Sequence, residues 1–283
     1  MHLLHMDTNA VAMDGRELPL MKVISESLRF IADKAVEKLT EQVGKVVKTK
    51  IRWVLTVPAL WSEEHKFFMR KAAQEGGLVE ESNSSNLLLS LEPEGASIQC
   101  REDSEAAVKE QMVKDSTVMV LDCGGGTVDI TIHKLTCNPD ERFLCEELLP
   151  SSGGCEWGSK FVDKYFEGFL LELFGEEFFD IYKKNAMARL DILKHFELLK
   201  RKFNPGVDER SRLQLSYLGE ELTAAKLGEF VKAFNTKKEE ETKNNGAAPC
   251  QLKQRGASSV DLPPALMKSF FEPLFTNIKN KVA

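Results

Sequence analysis

Val118-Met119-Val120-Leu121-Asp122-Cys123-Gly124-Gly125-Gly126-Thr127-Val128-Asp129-Ile130 is the stretch on which the reading of this chain turns. Two apolar segments flank three consecutive glycines, the pattern of two strands joined by a tight turn. Glycine permits positive φ and close approach to the backbone. Successive backbone N–H groups in such a turn form a concave anion site, to which Thr127 adds a hydroxyl donor. Asp122 and Asp129 are surplus negative charge beside a phosphate unless a cation bridges them. Magnesium suits that role, because it binds through one or two carboxylates, waters and phosphate oxygens. An aspartate so placed also orients an attacking water. The plainer alternative is a glycine-rich hairpin whose aspartates serve the turn. No Gly-x-x-x-x-Gly-Lys-Ser/Thr loop is present, so the phosphate site expected here is not of the Walker type.

On the C-terminal side, Thr127–Leu135 alternates as a strand, and residues 143–149 read as a third, which predicts an antiparallel meander. On the N-terminal side, Ile51–Val57 before Pro58 predicts a strand buried on both faces. Ser62 caps a following helix that should stop at Gly76-Gly77. A second apolar run, Leu87–Leu91, leads into Glu92-Pro93, and the strand–helix–strand order predicts a parallel pair. Farther out, Ile24, Leu28, Ile31, Ala35, Leu39 and Val43 mark an amphipathic helix near Gly44. Residues 101–116 read as a solvated connection, 156–203 as helical, and 212–218 as a short strand. Residues 235–259 read as a flexible loop, and a last helix follows Pro263-Pro264, with Pro273 as a kink point.

The chain has 283 residues, 38 basic and 44 acidic, for a net charge of −6. That balance argues against a nucleic-acid binder, which carries a basic face. No apolar run reaches the roughly 18 residues of a membrane span, and the first residues lack a basic signal-peptide start. Six cysteines without a Cys-x-x-Cys pair are expected to be reduced, mostly buried thiols in a cytoplasmic protein. His133 and Cys137 have ligand-like spacing but no further zinc ligands to join.

The glycine stretch resembles the second phosphate loop of the seventy-kilodalton heat-shock chaperones, within the actin, sugar-kinase and heat-shock ATPase superfamily. Four smaller segments agree in order. Leu55-Thr56-Val57-Pro58-Ala59 resembles the family's connecting segment, and Glu92-Pro93 resembles its Glu-Pro, whose glutamate lies near magnesium and the attacking water. Gly153-Gly154 resembles the turn that closes on the phosphates. Glu197-x-x-Lys200-Arg201, with Asn204, resembles the helix that holds adenosine, the glutamate on ribose and the arginine on adenine. Glu94-Gly95, Cys155 and Cys123 depart from the common chaperone pattern and resemble the divergent member 12 branch.

The resemblance implies a partial actin-like ATPase (ribonuclease H-like) α/β fold of two lobes. Residues 1–112 would be the remainder of the first lobe and 113–283 the second, with a mainly helical insertion at about 156–255. It implies ATP or ADP and Mg²⁺ as ligands, with Asp122, Asp129 and Glu92 as the catalytic set and Asp122 and Asp129 on the metal. Gly124, Gly125, Gly126, Thr127, Gly153 and Gly154 would hold phosphate, and Glu197, Lys200, Arg201 and Asn204 adenosine. Nothing before residue 51 resembles the family's Asp-x-Gly-Thr-Thr loop, and the chain reads as truncated at both ends. The expected function is therefore ATP binding with, at most, slow hydrolysis in a chaperone-like, stress-related cytoplasmic protein. Co-chaperones or regulatory proteins are the implied partners, without nucleic acid or membrane. A non-catalytic interaction protein and a sugar kinase of the same superfamily are the alternatives.

Overall fold

The computed structural model describes residues 8–12, 15–105, 110–136, 145–154, 157–245 and 250–283. They fall into two compact units, Met1–Cys155 and Glu156–Ala283. Both mix helices with small sheets, as the sequence predicts.

In the first unit, β1 (Asn9–Val11) pairs antiparallel with β2 (Glu17–Pro19), which runs into helix α1 (Leu20–Val43). The buried side of α1 carries Met21, Ser25 and Ala32, with Ile24 and Leu28 partly covered. The expected stripe holds at Ile24, Leu28 and Ala35, which are half-buried, whereas Ile31, Leu39 and Val43 are exposed. The reason is that α1 packs on α2 (Glu63–Glu75) through its early turns, around Phe68, Ala72 and Ala73. Gly76 marks that crossing, since a Cβ there would lie 2.8 Å from the Ser25 carbonyl oxygen. Helix α2 begins as read, with a capping box in which Ser62 accepts from the His65 N–H and the His65 ring accepts from the Ser62 N–H.

Strands β3 (Trp53–Val57) and β4 (Leu87–Leu91) form the expected parallel pair, Trp53 opposite Leu87 through Val57 opposite Leu91. The prediction of burial on both faces fails. Trp53, Leu55 and Leu87 pack against α1 and α2, but Val54 is 56% exposed and its partner Leu88 45%.

Strand β4 passes directly into α3 (Glu92–Asp103), whose first turn carries Pro93. The connection expected from residue 101 therefore starts later, and Arg101 is buried on the helix. Next come β5 (Thr117–Cys123), β6 (Val128–Leu135) and β7 (Cys145–Gly154), the predicted meander with β6 central. Phe143 and Leu144, the expected start of the third strand, lie outside the described residues.

In the second unit, α4 (Lys160–Lys184) and α5 (Ala186–Lys202) meet at Asn185, whose side-chain oxygen accepts from the Ala188 N–H at 3.1 Å. Strands β8 (Ser211–Gln214), β9 (Lys253–Arg255) and β10 (Ser259–Leu262) form an antiparallel sheet in the order β8-β10-β9. Helices α6 (Ala224–Asn245) and α7 (Pro264–Val282) complete it. Residues 235–245, expected as loop, continue α6. Lys237 and Lys238 reach Glu172 of α4 at 2.7 and 3.0 Å, and Lys238 also reaches Glu241 one turn on.

The core of this unit is aromatic. Phe166 stacks on Phe196 at 3.8 Å, with Phe270 edge-on to both. Phe196→Ala should lower stability by about 3–5 kcal/mol, the usual result of emptying a buried phenylalanine site. A urea midpoint unchanged from wild type would contradict this packing.

Candidate functional site

Strands β5 and β6 place Asp122 directly opposite Asp129. Like charges so paired repel. The turn between them closes with a 3.0 Å bond from the Gly124 N–H to the Thr127 carbonyl, leaving Gly125 and Gly126 at an exposed tip. None of the three glycines has positive φ, which corrects the expectation of a left-handed turn. A Cβ on Gly125 or Gly126 would meet nothing within 4 Å, so neither packing nor backbone angle demands glycine there; what the glycines provide is a tip of bare backbone.

The Thr127 hydroxyl is engaged within the protein. It donates to Asp129 Oδ2 at 2.9 Å and so fixes that carboxylate. Asp129 itself is 1% exposed, and its other oxygen, Oδ1, is buried without a hydrogen-bond partner. Thr131 Oγ1 and His133 Nδ1 are orphaned in the same way. Residues at this spacing share one face of a strand, so a polar seam runs inward from the hairpin along β6. The Asp129 oxygen is what a hard cation would satisfy. Among the described residues no three His, Cys, Asp or Glu side chains converge to hold a metal by themselves. Two carboxylates fit Mg²⁺, which completes its shell with water and phosphate.

Helix α3 packs against β5 and β6 and brings Glu92 to the same place. Burial first, then the charges of Asp122 and Asp129, push its carboxyl above the usual carboxylate range. Gly153 and Gly154 are not the expected turn. They end β7, paired with Asp129 and Val128. Gly153 has φ of 146°, and a Cβ there would meet the Val128 carbonyl oxygen at 1.9 Å. Only glycine lets β7 lie this close to the hairpin.

Cys123, on the neighbouring face of β5, is exposed, as is Cys100, which corrects the expectation of mostly buried thiols. Desolvation of its sulfur and the nearby Asp122 charge raise the Cys123 pKa, which disfavours the reactive thiolate. Cys137 and Cys155 lie outside the described residues.

The other predicted site residues belong to the second unit. Glu197, Lys200 and Arg201 sit on the last turns of α5 and are tied to one another. Lys200 Nζ is buried between Glu197 Oε2 at 2.6 Å and Asp163 Oδ1 at 2.9 Å. Arg201 Nε reaches Glu197 Oε1 at 2.7 Å while its side chain stays 76% exposed. The Lys200 and Arg201 hydrogen bonds and charges hold the Glu197 carboxyl below its usual range. Glu197 therefore stays an ionised acceptor, Arg201 an exposed cation with a flat face, and Lys200 a positioning cation. Asn204 lies beyond the helix and accepts from the Gly206 N–H at 2.9 Å. Glu197 borders a 470 Å³ cavity with Leu190, Leu193 and Leu198, whereas Asn204 borders a different one. Asp163, the partner that buries Lys200, has no local sequence signal, because 37 residues separate the two.

No protein-family model matches the chain. Human heat shock 70 kDa protein 12B is 33% identical over a 252-residue alignment that covers 71% of this chain and 36% of that protein. Human heat shock 70 kDa protein 12A is 31% identical, with 71% and 37% covered. The chain belongs to the atypical heat-shock 70 kDa family. The chaperone protein DnaK of Deinococcus proteolyticus is also similar, 28% identical over 187 residues, 64% of this chain and 25% of that protein. The chain thus spans a little over a third of the length of its human heat-shock relatives. Its α/β architecture is part of the actin-like ATPase fold of that family.

Two substitutions test the geometry of this heat-shock hairpin. Gly153→Ala should cost about 2 kcal/mol or more through left-handed strain and the Val128 clash, read as a lowered denaturation midpoint; a neutral effect would contradict the close approach. For Glu92, a raised folded pKa means its favourable contribution is complete below the unfolded pKa and lost as pH rises through the folded one. Glu92→Gln should therefore melt above wild type at pH ~7, with the gain vanishing below about pH 4. An equal offset at both pH values would contradict the raised pKa.

Proposed function

We propose that the chain binds a magnesium nucleotide, ATP or ADP, and hydrolyses ATP slowly if at all. The observation that carries this reading is the buried, unpartnered Oδ1 of Asp129, facing Asp122 beside a bare glycine tip. Asp122 and Asp129 would hold Mg²⁺, which supplies charge neutralisation at the phosphates. The backbone of Gly124, Gly125 and Gly126 would take phosphate oxygens, with Gly153 and Gly154 lining the approach. Thr127 orients Asp129. The raised proton affinity of Glu92 suits it to accept a proton from an attacking water. In the second unit Glu197 is assigned to ribose hydroxyls, Arg201 to stacking on the base and Asn204 to adenosine, with Lys200 holding Glu197 in place.

In this reading residues 1–112 descend from the first ATPase lobe and 113–283 from the second, with about 156–255 inserted. The protein works in the cytoplasm, in a chaperone-like or stress-related setting with co-chaperone or regulatory partners. The thiols of Cys100, Cys123, Cys145 and Cys250 are free, which agrees with a reducing compartment. No described helix is long and apolar enough to cross a membrane.

A thermal melt with and without Mg-ATP tests the proposal. Ligand at about 100 times its dissociation constant adds about 2.7 kcal/mol, so the midpoint should rise by several degrees with Mg-ATP and not with Mg²⁺ alone. Asp122→Asn should abolish most of that rise. A cooperative melt with no response to Mg-ATP would contradict nucleotide binding, and a full response without phosphate release would leave a non-catalytic nucleotide-binding protein.

A further inference from the structure

In the second unit a cavity of 710 Å³ opens over the β8-β10-β9 sheet, at the end of α5. It is within the size range of small-molecule sites, and its two walls differ in character. One is apolar, made by Leu199, Phe203 and Val207. The other carries Arg210, Arg212 and Arg255 around Asp261.

The arginines are held by the protein and not merely present. Asp261 is buried on β10, the central strand. Its two oxygens take one guanidinium each, Oδ1 from Arg212 Nε at 2.9 Å and Oδ2 from Arg255 Nε at 2.7 Å. Arg210 is fixed through one terminal nitrogen, Nη1, which donates to the Gln251 carbonyl at 2.9 Å. Arg212 and Arg255 are bound through Nε alone, and their side chains remain more than half exposed. Among the described residues, their terminal Nη groups have no acceptor. One carboxylate thus orients two guanidinium forks, and such forks match phosphate and carboxylate oxygens in pairs. Lys202 adds a fourth cation to the lining, while Asp208, Glu209 and Asp261 supply three acids. The small surplus of positive charge favours a single anionic group over a polyphosphate.

We propose that this cavity is a binding site for a small organic anion: one phosphate or carboxylate on the Arg212–Arg255 forks, with an apolar or aromatic body against Phe203, Leu199 and Val207. Neither hairpin aspartate borders it; of the residues assigned above to the nucleotide only Asn204 does, so the phosphate site at Asp122 and Asp129 is tested separately.

Titration of the full chain with phenyl phosphate, followed by calorimetry, is the test. Saturable binding is expected, weakening by about tenfold or more in Arg212→Gln/Arg255→Gln. Because that variant strands the buried Asp261 charge, Val207→Asp is the second arm. It leaves the three arginines and Asp261 intact, sets a negative charge on an exposed part of the apolar wall and should weaken binding comparably. Inorganic phosphate should bind at least several-fold more weakly than phenyl phosphate, and benzyl alcohol should not bind. Asp122→Asn should leave the phenyl phosphate titration unchanged, which separates failure here from failure of the nucleotide reading. No saturable binding, equal binding of benzyl alcohol, or equal binding of inorganic phosphate would each overturn the proposal, as would full affinity in Val207→Asp.

Discussion

Asp122 and Asp129 face each other across neighbouring strands, and that repulsion is the constraint around which the first unit is built. Thr127 restrains one oxygen of Asp129, and the other is buried with nothing to bond. Glu92 adds a third carboxyl, its charge disfavoured by burial and by the other two. A fold tolerates such a group when a ligand supplies what the protein withholds, and in the proposed reading that component is the positive charge of Mg²⁺. Every nearby element follows from that arrangement. Helix α3 must begin at Glu92, and β7 must carry Gly153 so that it can lie against the Asp129 backbone.

The second unit solves its polar problem internally. Asp261 is buried on a central strand, yet both oxygens are answered by arginine, and burial is outweighed by those bonds so that its carboxyl stays below the usual range. Lys200 is likewise buried between two carboxylates. Breaking either arrangement from one side would leave a stranded buried charge, which is far worse than losing a surface ion pair. The aromatic stack of Phe166, Phe196 and Phe270 lies in the apolar core of the same unit.

What was legible in the sequence was local. Ser62 and Gly76 bracket α2, because caps and stops act within a turn of the residues they affect. The Asp-x-Gly-Gly-Gly-Thr-x-Asp stretch announced the hairpin and both carboxylates, since alternation fixes which residues share a face. What was hidden depended on distant partners. The Lys- and Glu-rich end of α6 looks like loop until Glu172, 65 residues away, is known to receive Lys237. Strand β10 is four residues long, begins within the expected loop, and carries an aspartate whose place in a buried strand is explained only by its partners Arg212 and Arg255. The exposed half of α1 and the bare face of Val54 and Leu88 were invisible for the opposite reason. Their apolar residues imply a partner, and among the described residues none covers them. Thr127 was recognised as part of the site, but its bond to Asp129 was not, because a hydroxyl's partner is a matter of geometry rather than composition.

The central claim is that the β5–β6 hairpin, with Asp122 and Asp129 behind it, is a magnesium-phosphate cradle. Amide NMR of the isotopically labelled chain during a Mg-ADP titration tests it most directly. The account predicts that the Gly124, Gly125, Gly126 and Thr127 amides shift first and saturably, with Gly153 and Gly154 following, and that Mg²⁺ or ADP alone moves them far less. A titration in which those amides stay still, or in which the shifts fall elsewhere, would contradict it.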